Sequence, residues 1–370
     1  MEPENENIWR KILQLIKAED SKIGGFGSQH IRAGKVITLS SDTFIGGTGA
    51  LVLQNSSIKT EEGLPTLTLN ITVGTFNMTE GSTLNASTVI VRSAGIVFID
   101  KNSIIRSIYS KYPTTSPGAA PKDFEGGGGH GGGGAPSCYA HMRVGHSFGN
   151  PLVTSELFPG GPGSGSFDQP GGYGGGIIHI EAVSSDIYLR GLLDASGSGG
   201  GTTPVISIPG LRCGGGAGGT VLLEANQIFG DGTVIACGGK GLNGGGGGGG
   251  GVLQIDAAKF DDDLNFDTHG GSSPPCSING GSGVLFFAKQ KMLNCSGSQG
   301  LDYNDVAPTT WEWLGSDSMR APNVEGGGGE EGFDSFIGGG AVGSPLGSFV
   351  GETIVPLDYL TLTDGCYVDW

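Results

Sequence analysis

The residue types suited to acid–base or metal chemistry are densest between residues 261 and 269. Three consecutive aspartates occupy positions 261–263, and Asp267 and His269 follow them. Carboxylates beside an imidazole can act as a general acid and base, or can bind calcium through oxygen. The candidate catalytic residues are therefore Asp261, Asp263, Asp267 and His269. Adjacent side chains of a strand point to opposite sides, however, so the run of aspartates favours a solvated turn.

A second group of metal-ligand residue types lies between residues 130 and 146. Cys138, His141 and His146 have the spacing C-x2-H-x4-H, and His130 precedes them. A tetrahedral thiolate site for zinc needs a second cysteine nearby, and the sequence offers none. The pattern therefore favours packing or a disulfide at Cys138, and we predict neither a metal site nor a cofactor.

Charge and glycine spacing exclude several classes of ligand. The chain has 36 acidic and 20 basic residues, for a formal net charge of -16, whereas nucleic-acid phosphates need a surface of lysine and arginine. Gly239 and Lys240 are followed by Gly241, so the hydroxyl residue of a nucleotide-binding P-loop is missing. We therefore predict no nucleic-acid partner and no nucleotide site.

The elements that must position these residues are short strands that follow runs of glycine. The chain has 75 glycines, and the longest run, residues 244–251, leads directly into an apolar strand. The same order recurs, and the alternating segments end at Ala182, Ala225, Ala257 and Ala288. A flexible linker would not end repeatedly in a strand, so the glycines belong to a repeating structure.

Each of these strands is followed by a second short element and a corner of small residues. The corners read DASG at 194–197, IACG at 235–238, DTHG at 267–270 and NCSG at 294–297. One unit cannot bury its apolar face alone, so the units must stack. The pattern predicts an all-β, right-handed parallel β-helix, with one inward row formed by Ile178, Leu222, Leu253 and Leu285.

The purity of the glycine run at residues 244–251 needs its own account. Eight glycines in a row lose too much conformational entropy to form a stable isolated strand. Glycine does allow backbones to approach with no side chains between them, as at the collagen axis. We predict that successive runs stack as extended, polyproline-II-like strings that hydrogen-bond to their neighbours. The alternative is a set of floppy loops projecting from the β-helix.

The chain divides into five regions by composition and periodicity. An amphipathic pattern at the start predicts a short helix that caps the solenoid, with a frayed segment as the alternative. The last region reads as irregular, either a terminal cap or the start of something truncated. In order, the regions are an N-terminal helix or cap at 1–22, solenoid coils at 35–110, an irregular Gly/Pro-rich insertion at 113–173, Gly-rich solenoid repeats at 174–300 and an irregular region at 301–370.

Cysteines and glycosylation triplets point outside the cell, although the chain shows no signal peptide and no transmembrane segment. The disulfide candidates are Cys138, Cys213, Cys237, Cys276, Cys295 and Cys366, whose connectivity the sequence leaves open. The glycosylation candidates are Asn55, Asn70, Asn77, Asn85 and Asn294. We therefore predict an extracellular or cell-surface location, and a chain that is a fragment of a longer product.

The linear order of the glycine motifs carries a family resemblance. GGGGHGGGG at residues 126–134, GDGTVIACGGKG at 230–241 and HGGSSPPC at 269–276 are its most specific pieces. Over residues 124–297 the chain resembles a family of large glycine-rich extracellular proteins, best known from plants and mostly uncharacterised. The resemblance implies a solenoid fold and a membrane-associated, surface placement. It implies no activity.

These observations together predict a structural or adhesive protein without catalysis. A solenoid offers a long surface for multivalent contacts that are each weak. The expected partners are cell-wall or extracellular glycans, or surface proteins. Two alternatives remain open, a carbohydrate-active β-helix enzyme of the lyase or hydrolase kind working near residues 261–267, and a glycan-binding module without catalysis.

Overall fold

The computed structural model describes most of the chain between residues 21 and 295 and short strands beyond it. The predicted N-terminal helix lies outside the described residues, except that its last two positions, Ser21 and Lys22, are in a strand. The described residues are 21–26, 28–32, 35–60, 66–109, 118–122, 124–138, 144–148, 157–165, 171–201, 212–274, 277, 279–289, 292–295, 309–313, 319–320, 359–362 and 366–369.

Within these residues the fold is all-β. The first twelve strands are β1 Ser21–Phe26, β2 Gln29–Arg32, β3 Val36–Leu39, β4 Thr43–Gly47, β5 Ala50–Gln54, β6 Ser57–Thr60, β7 Thr68–Val73, β8 Thr75–Thr79, β9 Thr83–Asn85, β10 Thr88–Ser93, β11 Val97–Ile99 and β12 Ile104–Arg106. No described segment is a helix long and apolar enough to cross a membrane.

The next described strand begins at Ile177. The remaining strands are β13 Ile177–Ala182, β14 Asp186–Leu189, β15 Leu192–Asp194, β16 Thr220–Phe229, β17 Thr233–Ile235, β18 Val252–Phe260, β19 Asn265–Asp267, β20 Val284–Phe287, β21 Met292–Cys295, β22 Thr309–Trp313, β23 Met319–Arg320, β24 Tyr359–Leu362 and β25 Cys366–Asp369.

Parallel pairing organises β1 to β20 into three ladders. The first ladder joins β1, β4, β7, β10, β13, β16, β18 and β20. The second joins β2, β5, β8, β11 and β14 to the later part of β16, and the third joins β3, β6, β9, β12, β15, β17 and β19. Three consecutive strands, one from each ladder, form one rung up to β15, whereas β16 and β18 are long strands that each span the first two ladders. The predicted parallel solenoid is thus confirmed in outline, as a nearly closed parallel sheet.

The core lies inside the rungs and is built by in-register apolar rows. In the first ladder Val89 pairs with Ile178, Ile178 with Val221 and Val221 with Leu253, and none of these side chains is exposed. The predicted inward row was wrong at Leu222, which pairs with His179 and Gln254 instead. Because side chains alternate along a strand, that shift of one residue moves Leu222 to the opposite face.

The glycine runs lie in the connections between a third-ladder strand and the next first-ladder strand. The connection from β9 to β10 is only residues 86–87, whereas those from β15, β17 and β19 include long glycine-rich stretches. Another such stretch, residues 126–134, lies in the long connection from β12 to β13. These glycine-rich segments pack together beside the solenoid, and we call the assembly the glycine bundle.

The run at residues 245–251 hydrogen-bonds to three different neighbours in rotation. The amides of Gly246 and Gly249 donate to the carbonyl oxygens of Glu125 and Gly128 in the first neighbour. Those of Gly248 and Gly251 donate to the carbonyl oxygens of Gly239 and Ala236 in the second. Those of Gly247 and Gly250 donate to the Ser273 hydroxyl and the Gly281 carbonyl oxygen in the third. Every third residue faces the same neighbour, which is the repeat of a polyproline-II helix. The main-chain bonds support the predicted stacking and contradict the floppy-loop alternative for these residues.

Close backbone approach explains why the run contains no other residue type. A Cβ atom placed on Gly246, Gly249 or Gly250 would overlap a carbonyl oxygen of a neighbouring segment. Within the run 244–251 only Gly244 has a positive φ, 102°. Glycine is therefore required here by the absence of a side chain, more than by its conformational freedom.

Candidate functional site

A row of ionisable side chains crosses four rungs on the first ladder. Arg92 pairs with Glu181, Glu181 with Glu224 and Glu224 with Asp256 in the strand register. In-register residues of adjacent strands point to the same face, and strands are about 4.8 Å apart. Three carboxylates therefore stack along the solenoid, and we call Glu181, Glu224 and Asp256 the carboxylate row.

Each member of the carboxylate row has a partner that can carry positive charge. Arg92 Nε lies 3.1 Å from Glu181 Oε2, and Lys289 Nζ lies 2.9 Å from Asp256 Oδ1. His179 Nε2 lies 2.5 Å from Glu224 Oε2. Like charges opposite one another are destabilising. The charges of Arg92 and Lys289 offset part of this repulsion, and His179 engages Glu224 through a hydrogen bond.

The hydrogen bond from His179 lowers the pKa of Glu224, with smaller contributions from the charges of His179, Arg92 and Lys289. Glu224 is therefore ionised at neutral pH. Nitrogen of His179 and oxygens of Glu181 and Glu224 all lie within 4.8 Å of one another. This donor set suits a divalent cation or a general acid–base pair, provided that the existing ion pairs open.

A second cluster lies at the corner after the third ladder. Cys237 Sγ, a carboxylate oxygen of Asp267 and a ring nitrogen of His269 lie within 4.8 Å of one another. His269 Nδ1 is 2.9 Å from both carboxylate oxygens of Asp267. The Cys237 thiol donates a 3.6 Å hydrogen bond to the Asp267 main-chain oxygen.

Burial and charge fix the protonation states at this corner. Burial raises the pKa of the Cys237 thiol far above its usual range, and the Asp267 charge raises it further. The hydrogen bond between Asp267 and His269 lowers the pKa of Asp267 and raises the pKa of His269. Without a metal, Cys237 is thus a neutral thiol beside an acid–imidazole pair, and it lacks the thiolate of a cysteine nucleophile.

The structure separates the candidate catalytic residues of the sequence. Asp267 and His269 meet at the corner, but Asp261 accepts a 2.8 Å hydrogen bond from the Gly230 amide on the preceding rung. Asp263 is exposed in the turn between β18 and β19. Neither Asp261 nor Asp263 belongs to a metal-ligand cluster among the described residues.

Of the histidines in the earlier metal-ligand pattern, His130 is buried and His146 is half-buried. His130, 1% exposed, has Nδ1 2.9 Å from the Gly218 carbonyl oxygen and its ring against Phe148. Burial lowers the pKa of His130 to about 4, and burial also lowers the pKa of His146 to about 4. Both imidazoles are therefore neutral at pH 7. His141 lies outside the described residues.

The disulfide prediction was wrong for two cysteines. Cys213 and Cys237 are buried free thiols, and burial raises the pKa of each. Cys138 is disulfide-bonded. Cys276 lies outside the described residues. Cys295 and Cys366 are described only as backbone, in β21 and β25.

The glycosylation candidates differ in how accessible they are. Asn55 is exposed with a φ of 46°, and Asn85 is exposed at the end of β9. Asn77 is half-buried, and the side-chain oxygen of Asn70 is buried. Asn294 is described only as backbone in β21. Asn55 and Asn85 are therefore the positions where a glycan fits best.

Sequence reasoning missed the carboxylate row, although a signal for it was present. An acidic residue stands directly before the alanine that closes three aligned strands, as Glu181, Glu224 and Asp256. The recurrence becomes a site only when the strands pair in register. Comparisons with protein-family models, with characterised proteins and with solved structures find no match.

Proposed function

We propose that this protein is a non-catalytic, right-handed parallel solenoid with a structural or adhesive role at the cell surface or outside the cell. The observation that carries the proposal is the glycine bundle, in which connections of successive rungs hydrogen-bond to one another through the main chain. Such a bundle adds a second dense layer beside the apolar core. A protein that resists deformation along its length suits a structural element.

The ionisable surface is consistent with this role. All three members of the carboxylate row have side-chain partners: the cations Arg92 and Lys289 hold Glu181 and Asp256, and His179 holds Glu224 through a hydrogen bond. A glycosidase needs one carboxyl group that is free to donate a proton and another that is free to attack or to activate water. The engagement of the whole row by these partners favours a structural use of its carboxylates.

The proposed location and partners rest on accessible features of the solenoid. The exposed asparagines Asn55 and Asn85 of two glycosylation triplets suit a secreted or surface protein. A repeated surface presents the same chemistry at each rung, so weak contacts to a polymeric partner add up. We propose extracellular glycans or surface proteins as the partners.

Binding and turnover can be measured on the same samples of the full chain. Immobilised plant and microbial polysaccharides, and surface-protein fractions, are tested for retention of the protein, and the soluble phase is tested for new reducing or unsaturated ends. We expect retention without release of sugar ends. Release of ends would contradict the non-catalytic role, and failure to bind any polymer or surface fraction would contradict adhesion.

The carboxylate row favours a second candidate, a carbohydrate-active enzyme. Glu181 and Glu224 are in register on adjacent strands and remain partly exposed. Retaining glycosidases place two carboxyl groups about 5–5.5 Å apart, close to the strand spacing. If sugar ends are released, Glu224→Gln abolishes the activity under this candidate function, whereas the control Asp261→Asn preserves it.

A further inference from the structure

The corners that follow β15, β17 and β19 stack on one another on successive rungs. Asp194 pairs with Ile235 and Ile235 with Asp267 in the third ladder. Two residues further on, the corners place Ser196, Cys237 and His269 in the same order. The Cys237 amide donates 3.1 Å to the Ser196 hydroxyl, and the Gly238 amide donates 2.9 Å to the His269 carbonyl.

We propose that Cys237, Asp267 and His269 form a binding site for a zinc-class divalent cation. Their sulfur, oxygen and nitrogen atoms already lie within 4.8 Å of one another. Thiolate, imidazole and carboxylate are the ligand types that zinc takes, at about 2.0–2.3 Å from the metal. Ligand atoms around a tetrahedral ion are thus about 3.5 Å apart, so small side-chain rotations close the site.

The turn at this corner explains why an aspartate stands at position 267, but it does not explain the presence of Cys237 and His269. Asp267 Oδ1 accepts a 3.1 Å hydrogen bond from the His269 amide, and Asp194 Oδ1 accepts a 3.0 Å bond from the Ser196 amide. The corner after β15 therefore has the same turn without thiol or imidazole. The turn requires only the aspartate. The convergence of Cys237 and His269 on Asp267 is a separate feature, and it supplies the donor set of a metal site.

Burial of the three ligands is graded in a way that admits an ion. Cys237 is 7% exposed, whereas the side chains of Asp267 and His269 are 37% and 44% exposed. The cation therefore has a path from solvent and a buried soft ligand at the far side. Three protein ligands leave one position of a tetrahedral ion open to water or to a partner group. This site is distinct from the carboxylate row and goes beyond the proposed function.

Binding releases protons and leaves the metal redox state unchanged. The thiol of Cys237 loses its proton to solvent as sulfur bonds to the metal. The hydrogen between His269 Nδ1 and Asp267 is also displaced: in a neutral imidazole it moves to Nε2, and in a protonated one it passes to solvent. The expected proton release makes the affinity rise with pH, which an ordinary surface carboxylate pair would not show above neutral pH.

Cobalt(II) is the probe that reports a thiolate ligand directly. The full chain is treated with a chelator, transferred to metal-free buffer under argon, and titrated with CoCl2 and then with ZnCl2. We expect one cobalt ion per chain to produce a thiolate-to-cobalt charge-transfer band in the near ultraviolet, which zinc then removes. Absence of that band, or bound cobalt without it, overturns the proposal.

Matched variants separate this site from other ligands of the chain. Cys237→Ser should abolish the band, and His269→Gln should weaken cobalt binding by more than about 100-fold, beyond the loss typical of an outer-shell residue. Cys213→Ser is the control, because Cys213 is also a buried free thiol but has no such cluster among the described residues. A band that survives Cys237→Ser or vanishes with Cys213→Ser overturns the assignment. Circular dichroism checks folding, and the partly exposed His269 provides a second test if Cys237→Ser does not fold.

Discussion

The backbone amide of Gly249 donates a 2.9 Å hydrogen bond to the carbonyl oxygen of Gly128. Gly128 lies in the connection from β12 to β13, and Gly249 lies in the connection from β17 to β18. Segments that are distant in sequence therefore share one hydrogen-bonded bundle. The next glycine, Gly250, turns to a different neighbour, Gly281. This rotation of partners makes the bundle a three-dimensional network in place of a sheet.

The network predicts slow amide exchange across a segment that has no regular strand. We expect the amides of Gly246 to Gly251 to exchange about as slowly as those of β18, because each donates to a defined acceptor. Hydrogen–deuterium exchange with peptide or residue resolution makes the comparison, with the exposed turn at residues 262–263 as the fast reference. Exchange of the glycine amides at the rate of that turn would refute stable stacking.

A single methyl group at the centre of the bundle should be costly. A Cβ atom on Gly249 would overlap the carbonyl group of Gly132, which is backbone and cannot rotate away. We expect Gly249→Ala to lower the free energy of unfolding by about 3 kcal/mol, at the upper end of overpacking costs. Urea denaturation or thermal melting measures the change.

The control for this substitution is Gly199→Ala. A Cβ atom there would meet only Lys240 backbone atoms at 3.4 Å and 3.9 Å, which is ordinary contact. We expect a change within about 1 kcal/mol, since a glycine-to-alanine change at a tolerant position mainly restricts the unfolded chain. Equal losses for the two variants would mean that steric exclusion is not what selects glycine in the run.

Acid should weaken the bundle through His130. Its folded pKa of about 4 lies below the ordinary 6.5, so the unfolded chain binds more protons between these values. The stabilising contribution is therefore complete above pH 6.5 and is lost as pH falls through 4. The shift corresponds to roughly 3 kcal/mol on acidification. Unfolding free energies measured from pH 7 to pH 4 test the sign.

The variant for this test is His130→Gln, which retains an amide donor for the Gly218 carbonyl but does not titrate. We expect its stability to fall less steeply between pH 6.5 and pH 4 than that of the unmodified chain. His146, whose pKa is also lowered to about 4 by burial, leaves part of the acid sensitivity in place. An unchanged slope in the variant would exclude His130 as the source.

Much of the architecture followed from the repeated order of glycine run, strand and small corner. That order predicted parallel stacking, and it aligned the corners DASG, IACG and DTHG, which the register brings onto successive rungs. It also predicted that the run at residues 244–251 packs against other glycines. A repeat makes such predictions possible because each unit can bury its apolar face only against its neighbours.

The candidate site was predicted only in part, because local sequence cannot fix the register. Asp267 and His269 were identified from their spacing, but the aspartates at 261–263 were grouped with them only because they are near in sequence. The third member of that cluster, Cys237, comes from the preceding rung, and the carboxylate row draws one residue from each of three rungs. The wrong placement of Leu222 in the inward row has the same cause. A register error of one residue moves a side chain to the opposite face of a strand, because side chains alternate along it.

The sequence by itself determined the class of fold, through a periodicity that only stacked parallel strands can satisfy. It also determined where glycine is indispensable, because uninterrupted runs signal backbones in contact. The tertiary structure alone decided which side chains meet. Hydrogen bonds between rungs are made by the main chain, which is the same at every residue, so these bonds alone do not select a register. Which side chains lie together, such as Cys237 with His269 or Glu181 with Glu224, therefore depends on how the rungs pack as a whole.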